Sequence, residues 1–189
     1  MRKEHEEQIG KAVAALRERG DINEVYFVAC GGSQAVLMAG QYVFDKESSI
    51  PSHVYTANEF VYDTPKNLCG QSVVVTCSHS GNTPETIAAT KLAREKGALT
   101  IALSNLEGSE LWNAAEFPVH YDWGKDVSDS DKNKGILYGL LFHLLKVLEP
   151  DEKWDVCLKE LEKLTELSTK AKEQYKEMAE KWAKATKRE

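Results

Sequence analysis

The sequence predicts an α/β domain: a five-stranded parallel sheet flanked by helices, with a helical extension at the C-terminal end. Three observations predict it. Short runs with apolar, β-branched cores (residues 25–30, 72–77 and 98–103) alternate with segments of helical periodicity. Glycine follows directly where one of these runs meets a helix, at Gly31-Gly32. Residues 151–189 contain neither Gly nor Pro, and their apolar positions step by three or four throughout.

Residues 3–19 form the first expected helix, with Ile9, Ala12, Val13 and Leu16 on one face and Gly20-Asp21 ending it. His5, near its start, is expected to be solvated. The strand Val-Tyr-Phe-Val-Ala-Cys (25–30) leads through Gly31-Gly32-Ser33 into a helix from Gln34 to about Phe44, carrying Val36, Leu37, Gly40 and Val43. A turn at Pro51, a short strand over 53–56 and a turn of helix over 58–62 follow. The central strand, 72–77, runs into Ser78-His79-Ser80-Gly81-Asn82-Thr83 and a helix over 84–96 closed by Gly97. Thr83 suits an N-cap, Pro84 a first helical position, and Glu85 the positive end of the helix dipole.

A strand over 98–103, a short helix capped by Ser109 and a last strand over 117–121 complete the sheet. Residues 122–134 form a polar loop that could cover a site. Asp126, Asp129 and Asp131 lie close together in it, but no glycine sits at the turn and no glutamate closes the loop, so the calcium-loop pattern fails. Residues 136–148 read as a buried helix stopped by Pro150. The tail is one long amphipathic helix, or two with a break near Ser168, and frays over 184–189.

Composition bounds the function. The 189 residues suffice for one full-sized core and not for two. A net charge of −6 without a basic run before the far end argues against nucleic acid. The longest apolar stretches are strand-sized, so no membrane span is expected, and the polar N-terminus is unlike a signal peptide. Cys30, Cys69, Cys77 and Cys157 have no metal-type or CxxC spacing, which fits free thiols in a reducing cytoplasm.

Two loops carry chemistry. At the 78–86 loop a helix N-terminus leaves free N–H groups and a partial positive charge. Ser78, Ser80 and Thr83 surround it with hydroxyls, and Gly81 lets the backbone approach closely. That combination suits a phosphate. The loop has no Lys or Arg, so an exchangeable phosphoester fits better than a clamped triphosphate. Ser33 brings a hydroxyl to a second helix N-terminus. Neither GxGxxG nor Gly-Lys-Ser/Thr is present there. Both loops fall at the carboxyl ends of strands, where ligands of parallel sheets bind.

With both loops placed, the sequence resembles the sugar isomerase (SIS) domain family. Cys30-Gly31-Gly32-Ser33, Ala57-Asn58-Glu59-Phe60 and Ser78-His79-Ser80-Gly81-Asn82-Thr83 carry the resemblance. It extends to the isomerase half of glucosamine-6-phosphate synthase. It is closer still to the bacterial fructosamine-6-phosphate deglycases, through residues 26–33, 77–86, 97–102 and Tyr121-Asp122-Trp123-Gly124.

The resemblance implies a flavodoxin-like three-layer sandwich. Ser33, Ser78, Ser80 and Thr83 would offer hydroxyls, and Gly32 and His79 backbone N–H groups, to the phosphate of a sugar. The activity implied is cleavage of fructosamine 6-phosphates to glucose 6-phosphate and an amine or amino acid, without metal or organic cofactor, in a cytoplasmic homodimer. Family members of this kind carry two SIS domains, with the acid–base glutamate and histidine in the second domain and the partner subunit. Residues 1–150 would then be one SIS domain and 151–189 a helical extension leading to the second. The catalytic pair matches no position here, and Glu59 is the remaining candidate base. The alternatives are a non-catalytic sugar-phosphate sensor and a one-domain aldose–ketose isomerase using Glu59 or a histidine as base.

Overall fold

Five short strands pair in parallel in the computed structural model, which describes residues 1–186. They are β1 (Glu24–Ala29), β2 (Ser52–Thr56), β3 (Ser72–Ser78), β4 (Leu99–Ser104) and β5 (Phe117–His120), in the order β2-β1-β3-β4-β5. This is the flavodoxin-like order the resemblance implies. The register places Ala29 beside both Thr56 and Cys77, so the carboxyl ends of the central strands are level. Every residue of β1, β3 and β4 is buried, which is why these runs do not alternate with polar residues.

The helices are α1 (Lys3–Arg19), α2 (Gly31–Glu47), α3 (Ala57–Tyr62), α4 (Pro84–Glu95), α5 (Glu110–Ala114), α6 (Asn133–Leu148), α7 (Lys153–Leu161) and α8 (Leu164–Ala185). On one face α1, α2 and α6 bring Ile9, Leu37, Phe44 and Leu137 against Phe27, Val75 and Leu103 of the sheet. On the other, α3 and α4 bring Phe60 and Ala89 against Tyr26 and Val74, and α5 packs Leu111 against Ala102. Period-two alternation of each strand feeds both layers.

Three details depart from the sequence expectation. Helix α2 begins at Gly31, three residues before Gln34, because Gly31 adopts φ 56° and turns the chain straight off β1. Ser33 therefore lies in the first helical turn. His5 is fully buried rather than solvated. It precedes Ile9 by four residues, so it shares the apolar face of α1. The tail divides at residues 162–163, before Ser168. Helix α7 buries Trp154 and Leu161, whereas α8 buries none of its described residues. Of the end expected to fray, residues 187–189 lie outside the described residues. Among the described residues no helix is long and apolar enough to cross a membrane.

Candidate functional site

The sheet order reverses between β1 and β3, so the chain leaves these neighbouring strands in opposite directions and a crevice opens at their carboxyl ends. The crevice is a cleft of about 680 Å³. Gly32 and Ser33 line it from the start of α2; Ser78, His79, Ser80 and Thr83 line it from the β3–α4 loop. All six residues singled out for phosphate thus face one cavity. Glu59 does not line it. That residue is exposed in the first turn of α3, where its N–H donates to Thr56 Oγ1 at 3.3 Å.

The β3–α4 loop is built to keep donors available. Thr83 stands at the N-cap of α4 but makes no side-chain cap bond. Its Oγ1 instead lies 2.8 Å from Ser78 Oγ. The terminal N–H groups of α4 and its dipole therefore point toward the cleft without a competing cap. Gly81 turns the loop with φ 67°; its N–H donates to Ser78 O at 3.2 Å, and its carbonyl accepts from Leu111 N at 2.8 Å. Glu110 N donates to Asn82 Oδ1 at 3.3 Å. The start of α5 thus holds the loop from behind. A Cβ at Gly81 would collide with the Ser109 side chain, so only glycine fits.

The far wall contains residues that the two motifs do not reveal. Tyr121, Trp123, Asn133 and Lys134 line the cleft from the end of β5, the 122–134 loop and the start of α6. Tyr121 places its hydroxyl 3.1 Å from His79 Nδ1, and Trp123 meets the His79 ring edge-on with centroids 5.4 Å apart. Lys134 adds to the lining a basic residue of the kind the hydroxyl loop lacks. The polar loop expected to cover a site does border this one, through Trp123, Asn133 and Lys134.

Beneath the hydroxyls lies Cys77. Burial pushes its thiol up to about 12, against the opposing pull of the Ser33 and Tyr121 hydroxyls, so it stays protonated and unreactive. Tyr121 is likewise raised, first by burial and then by Cys77. The floor is neutral, and charge recognition is left to the helix ends and Lys134.

With this geometry in hand, comparison with known proteins places the chain. Residues 21–127 match the SIS domain. The chain belongs to the SIS domain family. It is 44% identical over 169 residues to the fructosamine deglycase of Bacillus subtilis, covering 89% of this chain and 52% of that protein. It is 32% identical over 146 residues to an isomerising glutamine–fructose-6-phosphate aminotransferase of Clostridium tetani, covering 77% of this chain and 24% of that enzyme. Among solved structures, one described as a phosphosugar isomerase from B. subtilis superposes with a TM-score of 0.85 at 41% identity, over 95% of this chain and 57% of that one. The SIS chain thus spans about half the length of the deglycase it matches.

Proposed function

We propose that this SIS domain is the phosphate-holding half of a fructosamine 6-phosphate deglycase. One observation carries the reading: six anion-suited groups from two helix N-termini converge at the reversal of sheet order, with Lys134 opposite them. Ser33, Ser78, Ser80 and Thr83 donate hydroxyls to the phosphate, and Gly32 and His79 donate backbone N–H groups. The 44% identity to a fructosamine deglycase supports the substrate class.

In the proposed reaction a base removes a proton from C1 of the ketoamine, giving an enaminol. Reprotonation at C2 yields the C1 imine, water adds to C1, and the amine leaves. Glucose 6-phosphate remains. The amine and carbonyl carbons supply their own electron sink, so the chemistry calls for no metal or organic cofactor. Phosphate binding, remote from C1, orients the reacting carbons. The acid and base are assigned to a second SIS domain, reached through residues 151–189, and to the partner subunit of a cytoplasmic homodimer. The net charge of −6 supports the absence of a nucleic-acid partner. The exposed position of Glu59, outside the cleft, weighs against a one-domain isomerase built on it.

Calorimetric titration with glucose 6-phosphate, beside glucose and beside Ser78→Ala, tests the reading. Saturable binding that requires the phosphate is expected, weakened about 10- to 100-fold by loss of the Ser78 hydroxyl, the worth of one hydrogen bond to a charged group. Equal binding of glucose, or indifference to Ser78→Ala, would sink it.

A further inference from the structure

Behind the cleft wall, where α1 meets the end of β5, two histidines and a carboxylate converge. His5 lies 3.6 Å from an Asp122 oxygen through Nε2, and His120 lies 3.5 Å from the other Asp122 oxygen through its own Nε2. One ligand atom from each of the three residues lies within 4.8 Å of the others. A tetrahedral zinc site with bonds of about 2.0–2.1 Å holds its ligand atoms roughly 3.3–3.4 Å apart. Each nitrogen–oxygen separation, to its own Asp122 oxygen, is close to that spacing.

The surroundings prepare the ligands. Asp131 Oδ1 lies 3.2 Å from His5 Nδ1. A carboxylate can only accept, so Nδ1 carries the proton and Nε2 presents its lone pair toward Asp122. Arg2 agrees: its Nη2 lies 3.4 Å from His5 Nε2 and pairs with Asp122. A guanidinium thus touches two of the three ligands. Among the described residues His120 Nδ1 is buried without a hydrogen-bond partner, so they do not use both nitrogens of that ring.

We propose that His5, His120 and Asp122 form a binding site for a borderline divalent transition ion of the zinc type, with Asp131 orienting His5 and Arg2 as the competing cation. Two imidazoles and one carboxylate are the donor set such ions take, and they do not suit calcium or magnesium. The ion would tie α1 to the segment that carries Tyr121 and Trp123 into the cleft. Arg2 is half-exposed at the surface and can swing aside to admit it.

Chelator-stripped protein titrated with Co²⁺ tests this by ligand-field absorption, with Zn²⁺ competition as a second readout. A single saturating equivalent is expected in the wild type, with loss of the band in His120→Ala and in Asp122→Asn. Arg2→Ala should bind several-fold tighter, because its competitor is gone. Asp131→Asn should bind about 10- to 100-fold more weakly, the usual effect of losing an orienting partner. Circular dichroism of each variant separates ligand loss from unfolding. If neither the wild type nor Arg2→Ala takes up Co²⁺ saturably, the proposal is overturned. It is equally overturned if folded Asp122→Asn binds as the wild type does, since the ion would then sit elsewhere.

Discussion

Cys77 and Cys69 show how one residue type takes opposite characters from its surroundings. Cys77 is buried under the site, and burial pushes its thiol up to about 12. Cys69 is half-buried; the Gln71 backbone hydrogen bond is the main influence lowering its pKa, with Asn23 and Ser72 adding to it. The nucleophile is the thiolate, so alkylation should follow that order. Brief treatment with iodoacetamide at pH 8, mapped by mass spectrometry, should label Cys69 first and Cys77 last in the folded protein. Early labelling of Cys77 would show that the floor of the cleft is wetter than its burial indicates. At this same scale lies the division between what the sequence discloses and what it withholds. Ser33, Ser78, Ser80 and Thr83 are legible because glycines and helix starts beside them carry local meaning. Tyr121 and Trp123 are marked only by resemblance and Lys134 not at all, because only the parallel order of the sheet brings the end of β5 to the β3–α4 loop. His5 follows the helical period of Ile9, Ala12 and Leu16, but its polarity suggests solvent when the partners, Asp122 and Asp131, lie more than a hundred residues away.

Helix α2 carries both a functional end and a packing constraint. Its N-terminus supplies Gly32 and Ser33, and its middle crosses β1 at Gly40, where an added Cβ would lie 2.5 Å from the Phe27 ring. Phe27 is fully buried and meets Phe44 edge-on, with centroids 5.9 Å apart, so it has little room to retreat. Gly40→Ala gains about 1 kcal/mol of helix propensity. Overpacking costs about 1–3 kcal/mol. The second effect should win, and chemical denaturation should show a net loss of about 1 kcal/mol. A stabilised variant would mean that α2 shifts along β1 freely, and Ser33 with it. Element boundaries were harder to read than element types. Gly31 suggested a loop, yet its positive φ starts the helix three residues early. Residues 162–163 end α7 with no Gly or Pro to mark the break.

Across the whole molecule, stability is uneven by construction. The sheet and its two helical layers contain the fully buried residues, while α8 buries none of its described ones and exposes Leu167, Tyr175, Met178 and Trp182. Local opening is cheapest where buried apolar contact is least. Limited trypsinolysis should therefore cut first at the lysines of α8 and leave a core from α1 to about α7 that melts cooperatively near the temperature of the intact chain. Primary cleavage in α4 or α6 would contradict that distribution.

The 122–134 loop meets the residues just before α1 and the first turns of α8. Arg2 N donates to Asp131 at 2.9 Å, while Thr165 accepts from Asp129 N at 2.8 Å and Ser168 bonds the same aspartate from α8. Between those two attachments the loop lays Trp123 against His79 and brings the chain to Lys134. For anyone engineering the molecule, this makes the position just before α1 a poor place for a neutral addition. An affinity tag or a fused reporter placed ahead of Arg2 loads the strap that shapes the ligand wall. A label placed in the exposed part of α4, by contrast, rides on the sheet and leaves that strap alone.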